Sequence, residues 1–289
     1  MPSTYPEFID RFSTLAPNYD VALCDVWGVL HNGIAAFPAA CEAMQKFRAG
    51  GGTVILITNA PRPGGIVLKF TDKVGMPRDC FDDIVSSGDV ARDYIAGRID
   101  ETVFKIGPER DGPIFDDLPI RFAPVETADF VVCSGLFNDE GETPEDYRPL
   151  LRQMLDRKLF MLCANPDIVV ERGERMLYCA GAIADLYRSL GGEVLYAGKP
   201  YRPIYDSALA KAAELRGGNI PLDRVLAIGD SVRTDLAGAV SLPIDCLFIT
   251  AGIHSEEFGG RDDPNLAAVE RTFAAAGLMP KALMRRLTW

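Results

Sequence analysis

Apolar residues gather in short runs bounded by turn residues, and between these runs the apolar positions fall at helical spacing. The runs Val21 to Cys24, Val54 to Ile57, Val194 to Tyr196, Val225 to Ile228 and Cys246 to Ile249 lack the alternation of a half-exposed strand. They predict parallel strands covered on both faces. Between the first two, Cys41, Met44 and Phe47 recur three apart, and Gly50, Gly51 and Gly52 stop the helix, completing a strand–helix–strand unit. Ile84 and Val85, followed by SSGDVARDYIAG, predict a further strand and helix of the same sheet. The middle of the chain changes character: TVFKIG, FVVCSG and LFMLCAN are strand-like, their connections are rich in Pro, Asp and Gly, and a helix is expected around Glu145 to Arg157. The pattern predicts an α/β fold with a parallel-sheet core over 1–99 and 193–289 and an α/β domain inserted at 100–192. The terminal KALMRRLTW predicts a packed or frayed basic helix.

A length of 289 residues suits a core plus one further domain, and 48% hydrophobic with 25% charged residues is an ordinary globular composition. A net charge of −11 speaks against nucleic acid or an anionic membrane as the main partner, so any phosphate site must be built locally. The seven cysteines (24, 41, 80, 133, 163, 179 and 246) form no CxxC pair, and two histidines are few for a zinc site; reduced, mostly buried thiols are expected. No apolar run reaches the roughly 18 residues of a membrane span, and the first residues lack the pattern of an export signal, which predicts a cytoplasmic protein.

Candidate chemistry sits at the ends of the predicted strands. Asp25 directly follows the first and precedes Val26, Trp27 and Gly28, at the C-terminal edge where open α/β sheets place ligands. Alone it reads equally as a turn or cap aspartate. Thr58 and Asn59 end the next strand with a hydroxyl and an amide suited to phosphate oxygens, and Lys199 in GKP brings a cation to a third strand end. Gly229, Asp230 and Asp235 in IGDSVRTDLAGA supply a glycine turn and two hard carboxylate ligands suited to magnesium.

This ordered set, DxxG, TN, a long insert, GKP and GDSVRTD, resembles the four motifs of the haloacid dehalogenase (HAD) superfamily, and the match extends over the whole chain. CANPD at 163–167 and LYCAGA at 177–182 look like the NagD-like class, whose cap is inserted after the third strand of a Rossmann-like core. The resemblance implies that Asp25 attacks phosphorus to form an aspartyl-phosphate, which water then hydrolyses. It also implies Mg2+ held by Asp25, the Trp27 carbonyl, Asp230 and Asp235, while Thr58, Asn59 and Lys199 orient the transferred group. Backbone N–H groups after Asp25, Gly28 among them, would add donors. Arg62 in TNAPRPG is a candidate phosphate contact whose plain alternative is a solvated surface arginine. Asn165, Pro166 and Asp167 resemble a cap loop that reaches the site, with Tyr178 to Gly181 beside it; the plain alternative is an ordinary turn.

The departure from the family pattern is Trp27, since phosphatases of this superfamily usually carry there the aspartate that protonates the leaving oxygen and activates water. Indole offers only an N–H donor. Trp27 would instead stack on an aromatic substrate or pack beneath the cap. His31 in GVLHNG is the candidate replacement, against a packed histidine in the same loop; His254 has no comparable context. The superfamily's dehalogenases also resemble this motif in carrying an aromatic residue, but attack on neutral carbon has little use for the acids of GDSVRTD. A dinucleotide enzyme would need a GxGxxG turn after the first strand, which this sequence lacks. The expected function is a phosphatase or phosphotransferase for a small phosphorylated metabolite, with no nucleic-acid or membrane partner. The alternative is a silent phospho-ligand sensor. A homodimer is compatible with the resemblance, though no residue pattern establishes one.

Overall fold

The computed structural model describes residues 6–172 and 175–289. Its strands are β1 (Glu7–Phe8), β2 (Val21–Cys24), β3 (Thr53–Thr58), β4 (Asp83–Ser86), β5 (Thr102–Ile106), β6 (Arg121–Phe122) and β7 (Phe130–Cys133). They continue as β8 (Met161–Cys163), β9 (Val169–Arg172), β10 (Arg175–Tyr178), β11 (Val194–Tyr196), β12 (Val225–Gly229), β13 (Asp245–Ile249) and β14 (Ala282–Met284). The α-helices are α1 (Pro38–Ala49), α2 (Gly64–Lys73), α3 (Ser87–Ala96), α4 (Arg148–Asp156), α5 (Ala180–Ser189), α6 (Arg202–Arg216), α7 (Ala237–Ser241) and α8 (Leu266–Ala276). Two compact units emerge: Met1–Thr58, Lys69–Ile84 and Tyr205–Trp289 form one, Asn59–Leu68 and Val85–Ile204 the other.

A seven-stranded sheet in the order β1-β14-β13-β12-β2-β3-β4 organises the first unit, and the pairings from β1 through β3 are parallel. Every residue of β2, β3 and β12 is buried, which explains their unbroken apolar runs. The chain leaves β2 for β3 on one side and returns at β12 on the other, so strand order reverses about β2 and opens a crevice at the C-terminal ends. Helix α1 starts with Pro38 in its first turn, where no N–H is missed, and buries Ala40, Cys41, Ala43, Met44 and Phe47. The C-terminal segment differs from expectation. Ala282–Met284 is a buried strand beside β13, and only Arg285 and Arg286 beyond it turn outward to bond Asp262. Three apolar residues completing a sheet bury more surface than one helical turn with two arginines would.

The second unit carries a five-stranded parallel sheet, β11-β8-β7-β5-β6, and the antiparallel hairpin β9–β10. Strand β7 shows why its apolar run is continuous: Val131 and Cys133 pack with Leu151, Met154 and Ile183 of α4 and α5, whereas Phe130 and Val132 pack with Ala91 and Ile95 of α3. Val194–Tyr196, grouped by pattern with the strands of the first sheet, pairs instead with β8. The second sheet therefore reaches beyond residue 192. All seven cysteines are buried thiols outside any disulfide, and no described helix is long and apolar enough to cross a membrane.

Candidate active site

Asp25, Asp230 and Asp235 converge in the crevice about β2. Pairing of Cys24 with Ile228 on one side and Leu56 on the other aligns the ends of β12, β2 and β3. Asp25 is fixed by its own N–H, which donates to the Ile228 carbonyl at 2.8 Å, and its Oδ1 accepts the Val26 N–H at 2.7 Å. After β12 the chain makes one π-turn, in which the Asp235 and Leu236 N–H groups both donate to the Ser231 carbonyl at 3.0 and 3.1 Å. This widened turn brings Asp235 back so that its Oδ2 accepts the Ser231 N–H at 3.1 Å, while Asp230 Oδ2 accepts the Ile253 N–H at 2.8 Å. One oxygen from each of the three buried carboxylates lies within 4.8 Å of the other two. Thr58, also buried, closes β3.

Glycines make room for this cluster. A Cβ on Gly28 or Gly252 would overlap the Asp230 carboxylate, and one on Gly229 would overlap that of Asp235. Gly28 also holds φ at +85°, a conformation that other residues reach only with strain. Three anions this close repel by about 3 kcal/mol per pair at an effective dielectric of about 20, so the donor set fits a small hard dication that cancels the repulsion. Gly252 has no positive φ, which makes it the clean probe of space alone. Gly252→Ala should weaken magnesium binding about 10–100-fold, the usual cost of disturbing groups that orient a ligand. Calorimetric titration checks this, with Gly65→Ala, where a Cβ meets open space, as the control; equal affinities in both variants would contradict it.

The half-buried Trp27 stacks on Phe70 with ring centroids 6.2 Å apart and planes 4° from parallel, and it meets His31 edge-on at 5.1 Å. A Cβ on Gly33 would overlap the indole. His31 is 2% exposed, its Nδ1 accepts the Gly33 N–H at 3.0 Å, and burial lowers its pKa to about 4. It is thus a neutral imidazole at physiological pH, wedged between Trp27 and Phe70.

The remaining sequence candidates lie in the second unit. Asn59 Oδ1 accepts the Lys199 N–H at 2.7 Å, and Asn59 Nδ2 donates to the Lys199 carbonyl at 3.1 Å and to Asp167 Oδ1 at 2.8 Å. The amide expected to hold phosphate is already bonded at both ends. Asn165 Oδ1 accepts the Asp167 N–H at 3.0 Å, making NPD a closed Asx turn. Arg62 keeps about a third of its side chain exposed (34%), and its Nε lies 3.5 Å from Oδ1 of buried Asp111. Burial pushes the Asp111 carboxyl above its ordinary range, against the pull of Arg62 and Arg110.

His254 was invisible in the pattern. Its Nε2 accepts the Val232 N–H at 3.2 Å and its Nδ1 pairs with Glu257 Oε2 at 2.8 Å, clipping the loop after β13 to the loop carrying Asp230 and Asp235. Its role depends on a neighbour 22 positions away, so no local motif marks it.

Residues 22–120 match the haloacid dehalogenase-like hydrolase family, and 196–276 match a second HAD-hydrolase-like family profile. A crystal structure of a haloacid dehalogenase-like hydrolase from Brucella suis 1330 is 48% identical, with a TM-score of 0.82 over 85% of this chain and 94% of that one. Among curated proteins, 4-nitrophenylphosphatase of Schizosaccharomyces pombe is 23% identical, with 89% of each chain covered. The ribonucleotide monophosphatase NagD of Escherichia coli K12 is likewise 23% identical, covering 81% of this chain and 88% of that protein. With the motif acids brought together on a parallel sheet and a relative this close along most of its length, the chain belongs to the haloacid dehalogenase-like hydrolase family.

Proposed function

We propose that the protein is a magnesium-dependent phosphoric monoester hydrolase acting on a small phosphorylated metabolite through an aspartyl-phosphate. The observation that carries this reading is the triad of buried carboxylates Asp25, Asp230 and Asp235 at the ends of adjacent central strands. Asp25 is the nucleophile: a carboxylate oxygen attacks phosphorus, the bond to the ester oxygen breaks, and water then attacks phosphorus to release phosphate and regenerate the carboxylate. Asp230, Asp235, Asp25 and the Trp27 carbonyl are the magnesium ligands in this reading. Bound magnesium supplies the positive charge that lets an anionic nucleophile approach a phosphate dianion. Thr58 and Lys199 hold the transferred group, and Arg62 is available to a substrate anion, whereas the Gly28 N–H, expected to add a donor, is taken by the His31 carbonyl at 2.8 Å. The α/β segment inserted between Thr58 and Lys199 is the substrate-selecting cap, with Asn165 and Asp167 on its specificity loop.

Because neither Trp27 nor neutral His31 supplies a proton, the leaving oxygen draws on solvent, and esters of acidic alcohols react fastest. Phosphate release measured with magnesium across 4-nitrophenyl phosphate and a panel of metabolite esters tests the reading. Turnover that disappears with a chelator and runs faster on aryl than alkyl esters supports it. Tight binding of an ester without turnover would replace it with a phospho-ligand sensor.

A further inference from the structure

Asn59 ties together two segments that are more than 30 positions apart in the chain. One is the loop after β11 that carries Lys199, and the other is the NPD turn after β8. Asn59 is 4% exposed and Lys199 3%, and the junction is close-packed: a Cβ on Gly198 would overlap Asn59 Oδ1 and approach Pro166 Cδ to 2.8 Å. The turn is anchored from its far side as well, where the Gly181 N–H donates to the Asp167 carbonyl at 3.1 Å and a Cβ on Gly181 would overlap the Pro166 and Asp167 carbonyls. An amide has one acceptor oxygen and two donor hydrogens. Here the oxygen takes the Lys199 N–H, and the donors go to the Lys199 carbonyl and the Asp167 carboxylate.

From this we infer that Asn59 is a positioning residue, which grips the Lys199 peptide from both sides and couples it to Asp167 without touching substrate. The inference rests on the proposed hydrolase reading, in which the Lys199 ammonium neutralises the transferred phosphoryl group. Its consequence is that the cation is set in place by the specificity loop, so a change at Asp167 reaches the rate through Lys199. Displacements of about 1 Å at such a group cost up to about 10²-fold in rate.

An exchange of the two side chains provides the test. Asn59→Asp alone sets two carboxylates against each other where amide met carboxylate, and should lower kcat on 4-nitrophenyl phosphate with magnesium at least about tenfold. Adding Asp167→Asn restores a donor–acceptor pair in the opposite sense and keeps an acceptor for the Lys199 N–H, while the Lys199 carbonyl stays without its donor, so the recovery is partial. The doubly exchanged protein should recover about tenfold in kcat over Asn59→Asp, with KM little changed between the two. If Asn59 bonded the phosphate, the new carboxylate would repel it whatever stands at position 167; an unrescued double variant with raised KM overturns the inference.

A second readout does not depend on activity. Asn59→Ala removes the bonds without adding charge, so hydrogen exchange at the Lys199 amide should accelerate at least about tenfold over wild type. Unchanged protection overturns the clamp even if the wild type hydrolyses no ester. An inactive wild type whose Lys199 amide is deprotected by Asn59→Ala would keep the clamp and sink the hydrolase reading instead.

Discussion

Asp25→Asn should abolish magnesium-dependent ester hydrolysis while making the metal-free protein more stable. The first effect follows from chemistry, because an amide oxygen is a poor nucleophile toward phosphorus and the covalent route is lost. The second follows from the crowding of Asp25, Asp230 and Asp235 within 4.8 Å. Neutralising one removes two repulsions of about 3 kcal/mol each at an effective dielectric of about 20, an upper bound that solvent and relaxation reduce. The bond from the Val26 N–H to Oδ1 survives, since an asparagine oxygen accepts it as well. Thermal unfolding in chelator should therefore show a higher midpoint for Asp25→Asn, and added magnesium should raise wild type more than the variant. A lower midpoint in chelator would mean that these carboxylates do not strain the fold.

Trp27→Asp should raise hydrolysis of alkyl phosphates by up to the 10²–10⁴-fold that general acid–base catalysis typically supplies, and raise aryl phosphates much less. Aryl leaving groups depart without a proton, so the difference between ester classes isolates acid catalysis from any general change in the site. The gain comes with a loss of stability, because the indole stacks on Phe70 and packs on Gly33 and His31. Truncating a buried tryptophan costs about 3–5 kcal/mol, and a half-buried one less. Steady-state rates on matched alkyl and aryl esters, with melting midpoints alongside, decide the matter. Equal changes in both ester classes would place the limiting step elsewhere.

Much of the fold was legible because burial on both sheet faces writes itself as unbroken apolar runs, as at Val21–Cys24, Thr53–Thr58 and Val225–Gly229. The same signature cannot assign a strand to a sheet, and Val194–Tyr196 joined the second sheet through pairing with β8. The basic residues of the terminal segment suggested a helix face, yet three apolar positions between them sufficed for a sheet strand. Within the site, Asp25, Asp230 and Asp235 could be found because their order and strand-end positions are local features. The hydrogen bonds of Asn59 and His254 could not be read, since an amide's bonding and a histidine's clip depend on partners far along the chain. Gly252 was equally silent: its lack of a side chain matters only because Asp230 occupies the space.

Phosphorylation of Asp25 is tested most directly by acid quenching of the protein after brief mixing with 4-nitrophenyl phosphate and magnesium, followed by peptide mass analysis. One added phosphoryl group is expected on the peptide containing Asp25, labile to mild base as an acyl phosphate is, and absent from Asp25→Asn and from chelator-treated protein. Burst release of 4-nitrophenol with an unmodified Asp25, or a phosphoryl group on another residue, would contradict it.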